Sequence, residues 1–174
     1  ILSSYFNLVF MSDFFSQNYT VKNNQLRPNF WQLYPLEQLN SAEWEALCDG
    51  CGVCCLVKYL DDADVRFTEY TDVACQLLNT HTGLCSNYPN RQKFVPDCIA
   101  LTYQMLPDML WLPKHCAYKR LYLGQNLPSW HRLVADENIH QTALKKVGAA
   151  GRCVSELNFT DEEMEERIVK WVSI

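Results

Sequence analysis

Apolar Leu36, Leu39, Trp44 and Leu47 recur at helical spacing, and Asn40 followed three residues later by Glu43 is a capping-box signature, so a helix over Leu36 to Leu47 is predicted. Beyond a cysteine-rich run, Leu56 to Leu60 and Val65 to Tyr70 flank Asp61-Asp62-Ala63-Asp64, a pattern that predicts two short strands joined by a polar turn. The acidic turn lacks the loop length and distal Glu of a calcium site and reads as a solvated hairpin tip. Thr71 to Leu78 predicts a short helix carrying Cys75. Asp97 is placed to cap a helix from Cys98 to Leu106, stopped by Pro107, and Cys116 to Leu123 predicts another, closed by Gly124. Near the end, Thr160 and Glu163 repeat the capping box ahead of an apolar stripe of Met164, Ile168, Trp171 and Val172, opposite Glu162, Glu165 and Glu166. The expected fold class is α+β: a small, irregular, helix-rich, metal-bound domain with a short β-hairpin and a C-terminal helix.

Ser12 to Pro28 is rich in Asn, Gln and Ser and reads as a loosely held arm, so the expected organisation is a flexible arm over 1–28 and one cysteine-cluster domain over 29–174. Met11-Ser12-Asp13 has the look of a protein start; residues 1–10 are then translated upstream sequence, a fragment boundary or a tag. A chain of 174 residues that is 48% hydrophobic can bury a real core. Its net charge of -5 and the lack of a long basic run leave no phosphate-neutralising surface, so nucleic acid is not an expected partner. No stretch is long and apolar enough to span a bilayer, and the apolar start lacks a basic flank and a clear cleavage site.

Nine cysteines are open to two readings, disulfides in an oxidising compartment or metal ligation in a reducing one. The adjacent pair Cys54-Cys55 and the odd total favour ligation, and with it a cytoplasmic location. Cys48, Cys51, Cys54 and Cys55 stand in one run, with Gly50 and Gly52 allowing the backbone to fold tightly round an ion; Cys75, Cys85, Cys98 and Cys116 follow singly. All eight are candidate metal ligands. The three cysteines at successive two-residue gaps match ferredoxin-type ligation, whereas the four single ones lack the second pair of an ordinary zinc ribbon. An iron-sulfur cluster or iron is therefore the first choice of cofactor and zinc the second. Cys98 and Cys116, each expected to open a helix, are placed to favour a thiolate.

Other polar residues are weaker candidates. His115 is next to Cys116, but helix neighbours point about 100° apart, so a Cys-His nucleophile pair is not expected, leaving a role as ligand or supporting group. His131 is a candidate to cap or support the site, but a packed or surface histidine is the preferred reading, and His81 and His140 have no evident partner. Asp49 and Asp97 flank candidate ligands and are placed to tune them, though helix capping explains Asp97 more cheaply; Arg91 and Lys93 are placed to offset thiolate charge, though a solvated loop is the more common fate of such residues. The chain holds no phosphate loop, nucleophile elbow or zinc-protease motif.

The pattern Leu47-Cys48-Asp49-Gly50-Cys51-Gly52-Val53-Cys54-Cys55-Leu56 resembles the CxxCxxCC cysteine-cluster family of zinc- or iron-chelating domains, most closely its YcgN-like branch. Val73-Ala74-Cys75, Cys85-x-x-Tyr88, Pro96-Asp97-Cys98-Ile99-x-Leu101-Thr102, Leu112-Pro113-x-x-Cys116-Ala117-Tyr118 and Leu127-Pro128-x-Trp130-His131 follow in the expected order, so the resemblance runs from Phe30 to Leu133. Residues 139–174 fit the pattern poorly, and Cys153 has no counterpart in it. The resemblance implies a bound metal or iron-sulfur cluster but no particular reaction. The expected function is that of a metal-binding carrier, sensor or redox accessory. The alternatives are an enzyme with an open iron or cluster site and an interaction module held together by structural zinc.

Overall fold

Asn40 starts a helix as its sequence requires. In the computed structural model, which describes residues 25–174, α1 spans Phe30–Leu33 and α2 spans Ser41–Ala46. Of the expected N-terminal arm, only residues 25–28 lie within the described residues. The Asn40 side chain accepts from the Glu43 N–H, and the Glu43 carboxylate accepts from the Asn40 N–H, both at 3.0 Å. This reciprocal cap divides the helix expected over Leu36 to Leu47: Leu36–Gln38 forms its own 3-10 turn and Leu39 is extended. The Arg27 guanidinium forks onto Glu43 at 2.7 and 2.6 Å, which ties the start of the described chain to α2.

β1 (Leu56–Tyr59) and β2 (Glu69–Ala74) pair antiparallel, Leu56 opposite Ala74 and Lys58 opposite Tyr70, with an irregularity between Leu56 and Lys58. The hairpin is thus present, but its second strand starts later than expected. Val65–Phe67 makes a 3-10 turn because Asp64 accepts from the Arg66 N–H. The helix expected over Thr71 to Leu78 is corrected: Thr71 to Ala74 is strand, and Cys75 to Leu78 turns the chain into a β-bridge. Thr71 and Val73 are β-branched, and Thr71 Oγ1 donates to the Val57 carbonyl at 2.9 Å. Tyr70, Thr71, Val73 and Ala74 are all buried, which masks the alternation of a half-exposed strand.

The helix expected from Cys98 to Leu106 is also corrected. Residues 98–102 are irregular, and Tyr103–Asp108 forms a 3-10 helix with Pro107 inside it. Trp44 Nε1 donates to the Leu101 carbonyl at 2.9 Å, which holds this segment open against α2. After α3 (Arg91–Phe94), α4 spans Ala117–Tyr122 with Cys116 as its N-cap, and Gly124 at φ 70° follows its end, as expected.

α5 (Glu137–Val147), capped by Asp136, precedes β3 (Val154–Ser155), which adds to β2 in parallel and completes a sheet of order β1-β2-β3. α6 (Asp161–Glu165) carries the second capping box and Met164 but stops before Ile168, Trp171 and Val172, the rest of the expected stripe. Arg167 grips Asp72 through two 2.7 Å bonds, and the Asp72 N–H donates to the Arg167 carbonyl, so Ile168 pairs with Thr71 as a β-bridge.

Among the described residues, two apolar clusters make the core. Val53, Leu56, Tyr70, Trp111 and Leu112 anchor one; Phe30, Leu47, Leu106, Tyr118 and Leu127 anchor the other. Leu47 belongs to the second and Cys51 and Val53 to the first, so the cysteine run crosses from one cluster to the other. Among the described residues, no helix is long and apolar enough to cross a membrane.

Candidate metal centre

Fully buried Leu47 fixes the start of the cysteine run. Its carbonyl accepts from His131 Nε2 at 3.0 Å while His131 Nδ1 accepts from the Leu133 N–H at 3.2 Å, an arrangement that suits one neutral tautomer. Burial holds this imidazole below the usual histidine range, so it stays neutral and supports the loop. Arg132 donates to the carbonyls of Ala46 and Cys48. Asp49 then turns the chain, its Oδ1 accepting from the Cys51 N–H at 2.9 Å. Gly50 and Gly52 follow at φ 77° and 70°, the left-handed region that the turn demands. At Gly52 there is no room for a side chain either: a Cβ would lie 2.6 Å from the Gly83 carbonyl oxygen.

This turn aims Asp49 and Cys51 at His115. One carboxylate oxygen of Asp49, Cys51 Sγ and an imidazole nitrogen of His115 lie within 4.8 Å of one another, the one such convergence of three candidate ligands among the described residues. Asp49 Oδ2 and His115 Nε2 stand 3.9 Å apart, and both are buried without a hydrogen-bond partner. A buried polar atom left unsatisfied costs roughly 1–3 kcal/mol, and two facing one thiol are what a cation would relieve. Burial lowers the His115 pKa more than the charge of Asp49 raises it, so the ring is held neutral, the form in which imidazole ligates. Thiolate, imidazole and carboxylate together suit zinc or iron. Trp130, with its ring 5.7 Å from that of His115, walls the site.

Cys48, Cys54 and Cys116 surround this triad closely enough that their charges act on Cys51 or on one another. Burial is the chief cause that pushes the thiols of Cys51 and Cys116 up, with the Asp49 charge adding to it. The helix-start effect expected at Cys116 is present as a bond from the Lys119 N–H, but burial outweighs it. Cys48 is also pushed up, by the protein packed around it and by Asp49, although the residue itself keeps exposed surface. Cys54 goes the other way: a hydrogen bond from the Cys55 thiol and the nearby Lys58 ammonium favour its thiolate, and Cys55 is held protonated. Lys58 Nζ donates to the Cys54 carbonyl at 3.0 Å and sits 4.6 Å from the Trp111 ring centre.

Of the remaining candidates, Cys75 and Cys85 act on Cys55 rather than on Cys51. The Cys75 N–H donates to the Cys55 carbonyl at 2.9 Å, and Cys85 forms a β-bridge with Leu78. Cys98 lies in the irregular segment, its thiol bonded to Arg91 and its carbonyl accepting from Gln92 at 3.2 Å. Burial raises Cys98, in contrast to the lowering expected of a helix start, which it does not occupy. Cys153 packs against the first apolar cluster beside Asp72. His140 is buried, its Nδ1 3.2 Å from the Trp130 carbonyl and its ring stacked on Trp130, so it has the partner that the sequence did not reveal.

A sequence model of the CxxCxxCC family, described as "Putative zinc- or iron-chelating domain", matches residues 47–117. The chain is 48% identical over 142 residues to a UPF0260 protein of Parvibaculum lavamentivorans, covering 82% of this chain and 92% of that one. It is 44% identical over 140 residues to one of Pseudomonas entomophila, covering 80% and 93%. A third, from Shewanella denitrificans, is 42% identical over 144 residues, covering 82% and 94%. These matches are longer than the stretch from Phe30 to Leu133 that carries the recognisable motifs. No solved structure matches the chain.

Proposed function

The chain belongs to the CxxCxxCC family as a relative of the UPF0260 proteins, and from that premise we propose that it chelates iron, as an ion or an iron-sulfur cluster, or else zinc, and serves as a carrier, sensor or redox accessory. Cys48, Cys51, Cys54, Cys55, Cys75, Cys85, Cys98 and Cys116 are its thiol ligands, and Asp49 and His115 join them. The carrying observation is the convergence of Cys51 Sγ with two buried, unpartnered atoms, Asp49 Oδ2 and His115 Nε2. Nothing else in the pattern of hydrogen bonds accounts for burying those two atoms face to face.

Thiolate-bound iron supplies one-electron chemistry when present. The chain's own residues hold the ligands in place: Asp49 Oδ1 shapes the turn, His131 and Arg132 fix its first carbonyls, and Lys58 offsets the charge at Cys54. Two apolar clusters supply a core beyond the thiols, which supports a working centre over a staple that merely holds a small domain together. A reducing cytoplasm fits nine cysteines that are all free, and one domain over 29–174 fits a cysteine run that crosses both clusters.

The test is anaerobic purification followed by visible absorption and analysis for iron, zinc and acid-labile sulfide, on the native chain and on Cys51→Ser. Native protein is expected to carry stoichiometric metal, and Cys51→Ser to lose most of it. Unchanged metal content in the variant would remove Cys51 from the site.

A further inference from the structure

We propose that Cys55, Cys75, Cys85 and Cys98 form a second, all-thiolate metal centre, distinct from the mixed-donor centre at Asp49, Cys51 and His115, with Cys54 and Cys55 as the divide between the two. The inference rests on the chelating function proposed above and deepens it by counting the sites and dividing the ligands between them.

Backbone bonds gather three of the four at one end of the sheet. The Cys75 N–H donates to the Cys55 carbonyl at 2.9 Å, and the Leu78 N–H to the Cys75 carbonyl at 2.8 Å. Leu78 in turn bridges to Cys85, and the Ser86 N–H donates to the Leu77 carbonyl at 2.7 Å. Cys98 approaches from the segment after α3, fastened through Arg91 and Gln92. All four residues are partly buried. Cys75 acts electrostatically on Cys55, Cys85 acts on Cys55, Cys75 and Cys98, and Cys98 acts on Cys75, which sets the four in one neighbourhood.

The donor chemistry differs from that of the first centre. Glu156, which acts on Cys75, spends one carboxylate oxygen on the Gln76 N–H at 2.7 Å, so the four thiols are the main donors here. Four thiolates select a thiophilic ion such as zinc(II) or iron(II), each thiol releasing one proton as its metal-sulfur bond forms. Lys58 and Arg91 supply positive charge on two sides. A tetrahedral ion at a metal-sulfur distance of about 2.3 Å sets its sulfurs roughly 3.8 Å apart. No three of these sulfurs converge within 4.8 Å, so ligation draws them inward, Cys98 moving on an irregular segment that no helix or strand holds.

Zinc(II) alone is the probe. The reduced full chain, stripped of metal and then loaded with zinc and desalted, is analysed for zinc per chain and for alkylation of each cysteine by mass spectrometry. Two zinc ions per chain are expected, with Cys55, Cys75, Cys85 and Cys98 protected at least tenfold and Cys153 labelled as in the metal-free protein. Cys75→Ser/Cys85→Ser is expected to hold one ion and to keep Cys51 protected; the alkylation pattern of the native chain stands whether or not this variant folds. One ion per chain, with the four cysteines labelled at the same rate with and without zinc, would overturn the second centre and leave the first standing. No bound zinc in the native chain would overturn both.

Discussion

Glu43 is fully buried yet charged, because the Arg27 guanidinium and the N–H groups of Arg27 and Asn40 take up its oxygens. The bond from Arg27 is the largest cause that holds its carboxyl down, to about 2. A depressed carboxylate stabilises the fold above its unfolded pKa, and that contribution is lost as pH falls from about 4.5 towards about 2. Discounted for an Arg27 side chain that is one-third exposed, the effect is on the order of 2 kcal/mol. Urea unfolding at pH 6 and pH 2.5 is expected to show a smaller acid loss for Glu43→Gln than for the native chain by about that amount. Parallel pH profiles would remove Glu43 from the acid response. The capping role of Glu43 was legible because Asn40 and Glu43 are neighbours in sequence; the bond to Arg27, sixteen positions away, was not. The same distinction applies at the centre. The cysteines announce themselves by spacing, whereas Asp49 and His115 meet only through the fold, and their shared lack of partners has no sequence signature.

At the scale of elements, local signals that end in a bond between near neighbours survived. Both capping boxes and the Gly124 stop are present. Expectations failed where a distant group competes: Trp44 holds the stretch after Cys98 open, and the strands around β2 claim Thr71 to Ala74. The turn through Gly50 and Gly52 was legible from glycine alone, but the reason Gly52 admits no side chain is the Gly83 backbone. Gly52→Ala must bear both a left-handed φ and a Cβ clash with that backbone, and a loss of about 2–4 kcal/mol is expected, with most of the bound metal. Gly124→Ala is the control, since φ is also 70° but a Cβ there meets nothing within 4 Å; it should lose only about 1 kcal/mol and keep its metal. Thermal denaturation and metal analysis of the two variants separate the cases, and equal losses in both would show that the clash at Gly52 is relieved without disturbing the turn.

Over the whole molecule, the cysteine run is the strap between two apolar clusters, with Cys48 and Cys54 acting on Cys51 and Cys75 and Cys85 acting on Cys55. The α+β class was legible from the mixture of short helical and strand patterns. β3 and α5 lie in the stretch that fits the family motifs poorly, and β3, only two residues long, has too few positions to show a period. Yet that stretch closes the site: the Ala149 N–H donates to the Cys51 carbonyl at 2.8 Å, and Gly148 packs against the same carbonyl. X-ray absorption of the anaerobically purified protein at the iron and zinc edges reads the donor set directly. A stoichiometric metal with sulfur at about 2.3 Å and a minority of nitrogen or oxygen at about 2.0–2.2 Å is the expected result. A shell of nitrogen and oxygen alone, or no stoichiometric metal at either edge, would contradict a centre built on Cys51, Asp49 and His115.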